Sequence, residues 1–262
     1  MNPAEYAKLA EVEDRMWYFR ALHGRIEDQL AASLGRQVAI LDAGCGTGGL
    51  IRRLARKHPD WRWTGIDVDP LAARLARERV GESARLAEGS VTALPFPDGS
   101  FDAVVSADVL YHLDDDAAAV AEAFRVLRPG GIFVVNVPAY PWLWSYHDEA
   151  VGGRRRYRRA GLTALLTSAG FSAVRATHAN LGVFPLVVAR RKLLPAPKGG
   201  SDVELQPAPV EAALRVLAAM ENGWIRDGGG LPFGSSVFAV ATKSRPAFPG
   251  EKPKRLMPLS AV

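Results

Sequence analysis

Residues 38–50, VAILDAGCGTGGL, constrain this chain more than any other stretch. The apolar run 38–41 suits a strand buried on both faces. Asp42 ends it, Gly44, Gly46 and Gly48 follow at alternate positions, and Leu50, Ile51, Leu54 and Ala55 then recur at helical spacing. Strand, glycine turn and helix in that order bring a nucleotide-like ligand against backbone N–H groups at a helix N-terminus. Gly44, Gly46 and Gly49 also satisfy the dinucleotide fingerprint, with Asp67 at the distance of a ribose-binding acid. An NAD-dependent oxidoreductase is therefore an alternative on this loop alone. Asp42 argues another way. A carboxylate beside the glycines opposes a pyrophosphate and suits a ligand carrying a cation there, such as an α-amino group or a sulfonium.

The rest of the chain alternates. Strands are expected at 61–66, 84–87, 101–106 and 132–137, with helices at 48–57, 70–80 and 115–127. That order predicts an α/β fold with a doubly wound parallel sheet covered on both faces. Residues 1–36 read as one or two helices, whose aromatic cluster Met16-Trp17-Tyr18-Phe19 either packs on the core or closes as a lid over a ligand. A loop at 138–159 is long enough to suggest a functional role. A helix at 162–169 and strands at 171–177 and 236–242 follow, and 181–235 between those strands is read as an insertion on the sheet's edge. Residues 1–245 thus form one domain, and the proline-rich 246–262 a disordered tail. At 262 residues and 48% hydrophobic, one large core is within reach. Cys45 is the only cysteine, which predicts a reducing, cytoplasmic setting. A net charge of +5 permits an acidic partner without requiring one.

ILDAGCGTG (40–48), TGIDVDP (64–70), LPFPDGSFDAVVS (94–106) and LRPGGIFVV (127–135) occur in order. With these motifs the chain resembles the class I S-adenosylmethionine-dependent methyltransferases. The resemblance implies a Rossmann-like seven-stranded sheet whose antiparallel last strand inserts between the fifth and sixth. It implies S-adenosyl-L-methionine as cofactor and S-adenosyl-L-homocysteine as product. It also assigns a cofactor set: Asp42 toward the ammonium, Gly44, Cys45 and Gly46 in the turn, and Asp67 on both ribose hydroxyls. Val68 flanks the adenine, and Ala107 lines the methionine end. Family members often carry an acidic residue just before the LPF segment; here Gly89-Ser90-Val91 stands there, so Ser90 becomes the counterpart and adenine recognition loses a charge.

Open sheets place ligands beyond the carboxyl ends of their strands, so the residues after the fourth and fifth strands are the candidates for chemistry. His112 either serves as a base or caps the next helix, and His147 in the long loop is a second candidate base. Tyr111, Tyr140, Trp144, Asp148, Tyr157 and Trp17 are expected to surround a substrate. The run 152–159 is a solvated face, or its Arg155 and Arg156 hold an anionic substrate group. The aromatic content favours a partly apolar small molecule accepting the methyl group on O, N or C. No metal is called for. The sequence argues against a nucleic-acid substrate, having no Asn/Asp-Pro-Pro-aromatic motif. A non-catalytic binder is a further alternative, and the apolar-then-basic 185–194 would suit contact with a membrane surface.

Overall fold

The computed structural model describes residues 3–196 and 201–245. The expected tail at 246–262, and part of the linker expected at 194–209, lie outside the described residues. Seven strands form one sheet: β1 (Ala39–Ala43), β2 (Arg62–Asp67), β3 (Ala84–Glu88), β4 (Phe101–Ala107), β5 (Leu127–Pro138), β6 (Ser172–Ala179) and β7 (Ser236–Thr242). Their order is β3-β2-β1-β4-β5-β7-β6. The first five run parallel, and β7 is antiparallel to both β5 and β6. The topology implied by the family motifs is the one found.

Alternation within each central strand explains why helices are needed on both sides. Ile40, Ala103, Val105, Ile132 and Val134 point to one face, where they meet Leu22, Ile26, Leu50, Ile51 and Leu54. Those come from α2 (Trp17–Ser33) and α3 (Gly49–Lys57). Leu41, Val104, Phe133 and Val135 point to the other, against Val120, Ala123, Leu162 and Leu166, from α5 (Asp116–Val126) and α7 (Arg159–Ser168). Strands with no wet face read as unbroken apolar runs, as these do. Between β2 and β3, α4 (Pro70–Val80) starts with Pro70 at its first position and Asp69 capping the Leu71 N–H at 2.9 Å.

Three expectations are corrected. β5 begins at Leu127, so Arg128-Pro129-Gly130-Gly131 belongs to the strand; the Gly130 N–H and Gly131 C=O both pair with Lys243 beyond the end of β7. The segment 138–159 is not a bare loop. It holds a 3₁₀ turn (Pro141–Leu143) and α6 (Tyr146–Ala150), opened by a capping box of Ser145 and Asp148. Nor does 181–235 stay at the sheet's edge. After α8 (Phe184–Lys192), its long α9 (Ala208–Arg226) packs along α2, where Arg25 donates to Asn222 at 3.0 Å and Asn222 to the Ala21 carbonyl at 2.7 Å.

Candidate active site

The carboxyl ends of β1, β2, β4 and β5 open into a cavity of about 740 Å3. Its floor is the glycine turn. Gly44 and Gly46 have φ of +87° and +53°, a region side chains avoid. A Cβ on Gly44 would lie 2.3 Å from Val109, so packing against β4's exit loop, as well as backbone angle, demands glycine there. Asp67, at the end of β2, accepts from the Gly46 N–H at 2.8 Å and the Asp69 N–H at 3.0 Å, one on each oxygen. Each oxygen keeps a lone pair for a further donor.

Asp42 and Asp67 face this one cavity, with Glu13 beside them. Burial, then the Asp67 and Glu13 carboxylates, push the Asp42 carboxyl up to about 8. Burial also raises Asp67 and Glu13. Asp42 and Asp67, crowded in a low-dielectric floor beside a Glu13 that Arg79 already pairs, favour a cationic occupant, which would relieve their repulsion. Val68 is 68% exposed at the rim, and Gly89, Ser90 and Val91 line the wall beyond Asp67. The Ser90 hydroxyl is engaged in a turn with Thr92 at 2.7 Å. Cys45 and Ala107 complete the lining on the glycine-turn and β4 sides. Every residue of the expected cofactor set therefore borders one space.

The roof comes from the N-terminal helices and the insertion. Tyr6 from α1 (Pro3–Val12), and Met16, Trp17, Tyr18 and Phe19 at the start of α2, line the cavity, so the aromatic cluster borders the ligand space. Three clasps hold the roof down. Arg79 of α4 bridges Glu13, Asp14 and Thr47. Ser201 donates to Glu5 at 2.6 Å, and Glu211 of α9 accepts from the Trp17 N–H at 2.8 Å.

The two histidines differ. His112 Nδ1 lies 3.0 Å from the Gly152 carbonyl, which can only accept, so Nδ1 carries the proton and Nε2 a lone pair. Burial keeps this ring below its usual pKa and so neutral. His147 is the reverse case. Its Nδ1 accepts from the Asp202 N–H at 3.0 Å, which leaves Nε2 protonated. Burial and Arg191 hold it neutral too, so His147 faces the cavity as a hydrogen-bond donor.

Several substrate expectations are corrected. Tyr140, Trp144, Arg155 and Tyr157 do not line the cavity. Tyr140 stacks on His178 at 5.2 Å. The Trp144 carbonyl accepts from Lys192 at 2.8 Å. Tyr157 is buried, its hydroxyl donating to Asp116 at 2.6 Å, and Arg155 pairs with the same aspartate at 3.1 Å. Asp148 and Arg156 reach the cavity wall but are spent on each other: their side chains are 1% exposed and bonded at 2.8 Å, with Arg156 also donating to the Ala139 carbonyl. A buried pair so closed offers no free guanidinium to an anion. Tyr111 and Trp17 do line the site.

Sequence reasoning missed Glu13 in the floor, and it missed a second group. Asp108, at φ +55° just past β4, accepts from the Tyr18 hydroxyl at 2.6 Å and from Asn136 Nδ2 of β5 at 2.8 Å. It lines the cavity between the glycine turn and His112 in sequence. The one available signal was its place at a carboxyl strand end; nothing in the sequence pairs it with Tyr18, 90 residues away.

Known proteins carry the same framework. Residues 41–135 match the methyltransferase domain family model. A "probable S-adenosylmethionine-dependent methyltransferase" of Mycolicibacterium smegmatis is 37% identical over 200 residues, which cover 74% of this chain and 72% of that protein. The chain belongs to the S-adenosylmethionine-dependent methyltransferases. With that, the oxidoreductase alternative falls, as Asp42 beside the glycines argued. The methyltransferase is also 42% identical over 112 residues to a 2-methyl-6-phytyl-1,4-hydroquinone methyltransferase of Synechocystis sp., across 42% of this chain and 33% of that protein. A SAM-dependent methyltransferase of Thermotoga maritima shares the fold at 20% identity, with 92% and 95% of the two chains covered and a TM-score of 0.59.

The cavity fits the family's cofactor on its own chemistry. Acidic groups gather where its ammonium and sulfonium charges would lie, and Asp67 offers two oxygens to a ribose edge.

Proposed function

We propose that this methyltransferase methylates a small, largely apolar acceptor on an O, N or activated C atom. The observation that carries the reading is the division of one cavity. Its sheet end is acidic and polar, whereas the end under α8 and α9 is walled by Val183, Leu186, Val187, Val210 and Leu214. The likeness to a hydroquinone methyltransferase supports an acceptor with an apolar body and an ionisable head.

When bound, S-adenosylmethionine supplies a methyl carbon made electrophilic by its sulfonium. Asp42 and Asp67 hold it, the lid excludes water, and the aromatic walls orient the acceptor; positioning of this kind lowers barriers by up to about 7–11 kcal/mol. His112 takes the proton that a hydroxyl, amine or ring carbon sheds, through the Nε2 lone pair that its Gly152 bond leaves free. His147 and Tyr111 contact the acceptor as polar neighbours. The Asp108–Tyr18–Asn136 group fixes the lid over the reacting end. The single cysteine supports a reducing, cytoplasmic setting, and no helix among the described residues is long and apolar enough to cross a membrane.

The test is a screen of prenylated quinols, other phenols, sterols and polar amines that measures S-adenosylhomocysteine release. Turnover confined to acceptors with an apolar body is expected. His112→Asn should cut kcat by about 10²–10⁴ with S-adenosylhomocysteine affinity intact. Because the ring is held below its usual pKa, the wild-type kcat at saturating S-adenosylmethionine should persist unchanged from pH 8 down past about 6.5. Exclusive turnover of polar amines would end the proposal.

A further inference from the structure

The exposed apolar surface of this protein is gathered in one place. Eleven large hydrophobic residues among those described are exposed, and nine of them lie in 181–235. Of the other two, Val68 belongs to the cofactor rim, and the Trp142 ring meets Phe184 of α8 edge-on at 6.3 Å. Surfaces of monomeric proteins rarely concentrate apolar side chains in this way without a partner.

The geometry makes this a continuous face. No residue of α8 is buried; Leu186 is 66% exposed and Leu193, just past the helix, 78%. On α9, Val216, Met220 and Trp224 recur every fourth residue and are 63%, 71% and 59% exposed, on the side away from Ala218, Asn222 and Ile225. Leu217 flanks that stripe and abuts Gly182, whose Cβ would lie 2.5 Å from it, and Phe184 meets Phe233 at 5.7 Å. The cavity opens here, because Leu186, Leu194 and Val210 are both exposed and part of its lining.

Charge and aromatic content identify the occupant. Arg190 and Lys192 donate to the Pro195 and Trp144 carbonyls, at 2.7 and 2.8 Å, and among the described residues no carboxylate pairs with either, Arg190 lying over the Tyr146 ring at 5.3 Å, whereas Arg191 is paired with Asp202. Apolar side chains flanked by tryptophan and unpaired cations match the interface of an anionic bilayer. A second copy of the chain seated here would stop the mouth of the cavity. We propose that the 181–235 face, together with Trp142, docks on an anionic lipid bilayer, from which the acceptor enters beneath α8 and α9. The entry route rests on the apolar-acceptor reading above; the docking itself does not.

The test is co-sedimentation of the full chain with vesicles of phosphatidylglycerol and phosphatidylcholine, or of phosphatidylcholine alone. We expect binding to the anionic vesicles that weakens about tenfold or more without the anionic lipid or in high salt. The triple variant Leu193→Ser/Val216→Ser/Met220→Ser, whose side chains lie outside the cavity lining, should lower the vesicle partition coefficient by about tenfold or more. Lys192→Glu is a second probe and should weaken binding to anionic vesicles alone. S-adenosylhomocysteine titration of each variant should match wild type, which shows that the fold is intact. Wild-type protein left in the supernatant with both vesicle types overturns the proposal, as does equal pelleting of the triple variant. So does a stable dimer that the triple variant dissolves, with no vesicle binding by either. Vesicle binding together with turnover of polar acceptors only would sink the acceptor reading and leave the docking standing.

Discussion

Asp42 sets a pH dependence on cofactor binding that can be worked out from its surroundings. Its carboxyl is raised to about 8 by burial and by the neighbouring Asp67 and Glu13 carboxylates. In the ligand-free protein it is therefore protonated at neutral pH, with about one molecule in eleven ionised at pH 7. An ammonium placed against it favours the charged form and returns its pKa toward the ordinary range. Binding then releases a proton, and affinity rises with pH until the free carboxyl is already ionised. S-adenosylhomocysteine should bind about fivefold more weakly at pH 7 than at pH 8, and the loss approaches tenfold, or about 1.4 kcal/mol, for each further unit. The linkage to folding has the opposite sign. A raised carboxyl costs the empty protein stability as pH climbs from the unfolded value near 3.9 toward 8, and ligand offsets that cost. Calorimetric titration between pH 6 and 8, in two buffers of different ionisation enthalpy, measures both affinity and released protons. Asp42→Asn should flatten the profile while Asp67 and Glu13 remain. An affinity independent of pH in the wild type, or the same slope in the asparagine variant, would falsify the assignment of Asp42 to the ammonium.

Two further outcomes follow from the clasps. Arg156→Ala strands the Asp148 carboxylate in the interior, so it should cost about 3–5 kcal/mol and lower Tm by about 10 °C or more, whereas Arg155→Ala at the surface should change Tm little. A rise in KM for Arg156→Ala at unchanged Tm would instead make that arginine a substrate contact. Arg79→Ala removes the bridge from α4 to Glu13, Asp14 and Thr47, and should speed S-adenosylhomocysteine release by about tenfold, corresponding to a loss of roughly 1.4 kcal/mol; an unchanged dissociation rate in stopped flow rules out a latch.

The order of elements and the placement of the cofactor floor were legible in the chain because both are local. Residues 39–43 and 49–57 announce strand and helix by period, and Gly44, Gly46 and Asp67 lie within one β-α-β unit whose handedness leaves little choice. The sheet order with an inserted antiparallel β7 was legible only through the family's motifs; periodicity alone does not say where a strand pairs. Side-chain roles in 138–159 were not legible. Arg155, Arg156 and Tyr157 are adjacent in sequence, yet one pairs with Asp116 at the surface, one is sealed against Asp148, and one is buried with its hydroxyl on the Leu110 carbonyl. A charge run reads alike whether its partners come from water, a ligand or the protein, since the partners lie 8 to 47 residues away.

What the sequence determined by itself was therefore the α/β order and the acidic, side-chain-poor floor, both set by short-range backbone preference and apolar period. Tertiary structure alone decided which histidine keeps a free nitrogen, since a tautomer is chosen by a carbonyl 40 residues away. It likewise decided that α9 packs on α2 and leaves its apolar stripe facing outward, because a helix records in sequence that it has two apolar sides, not which of them will be covered.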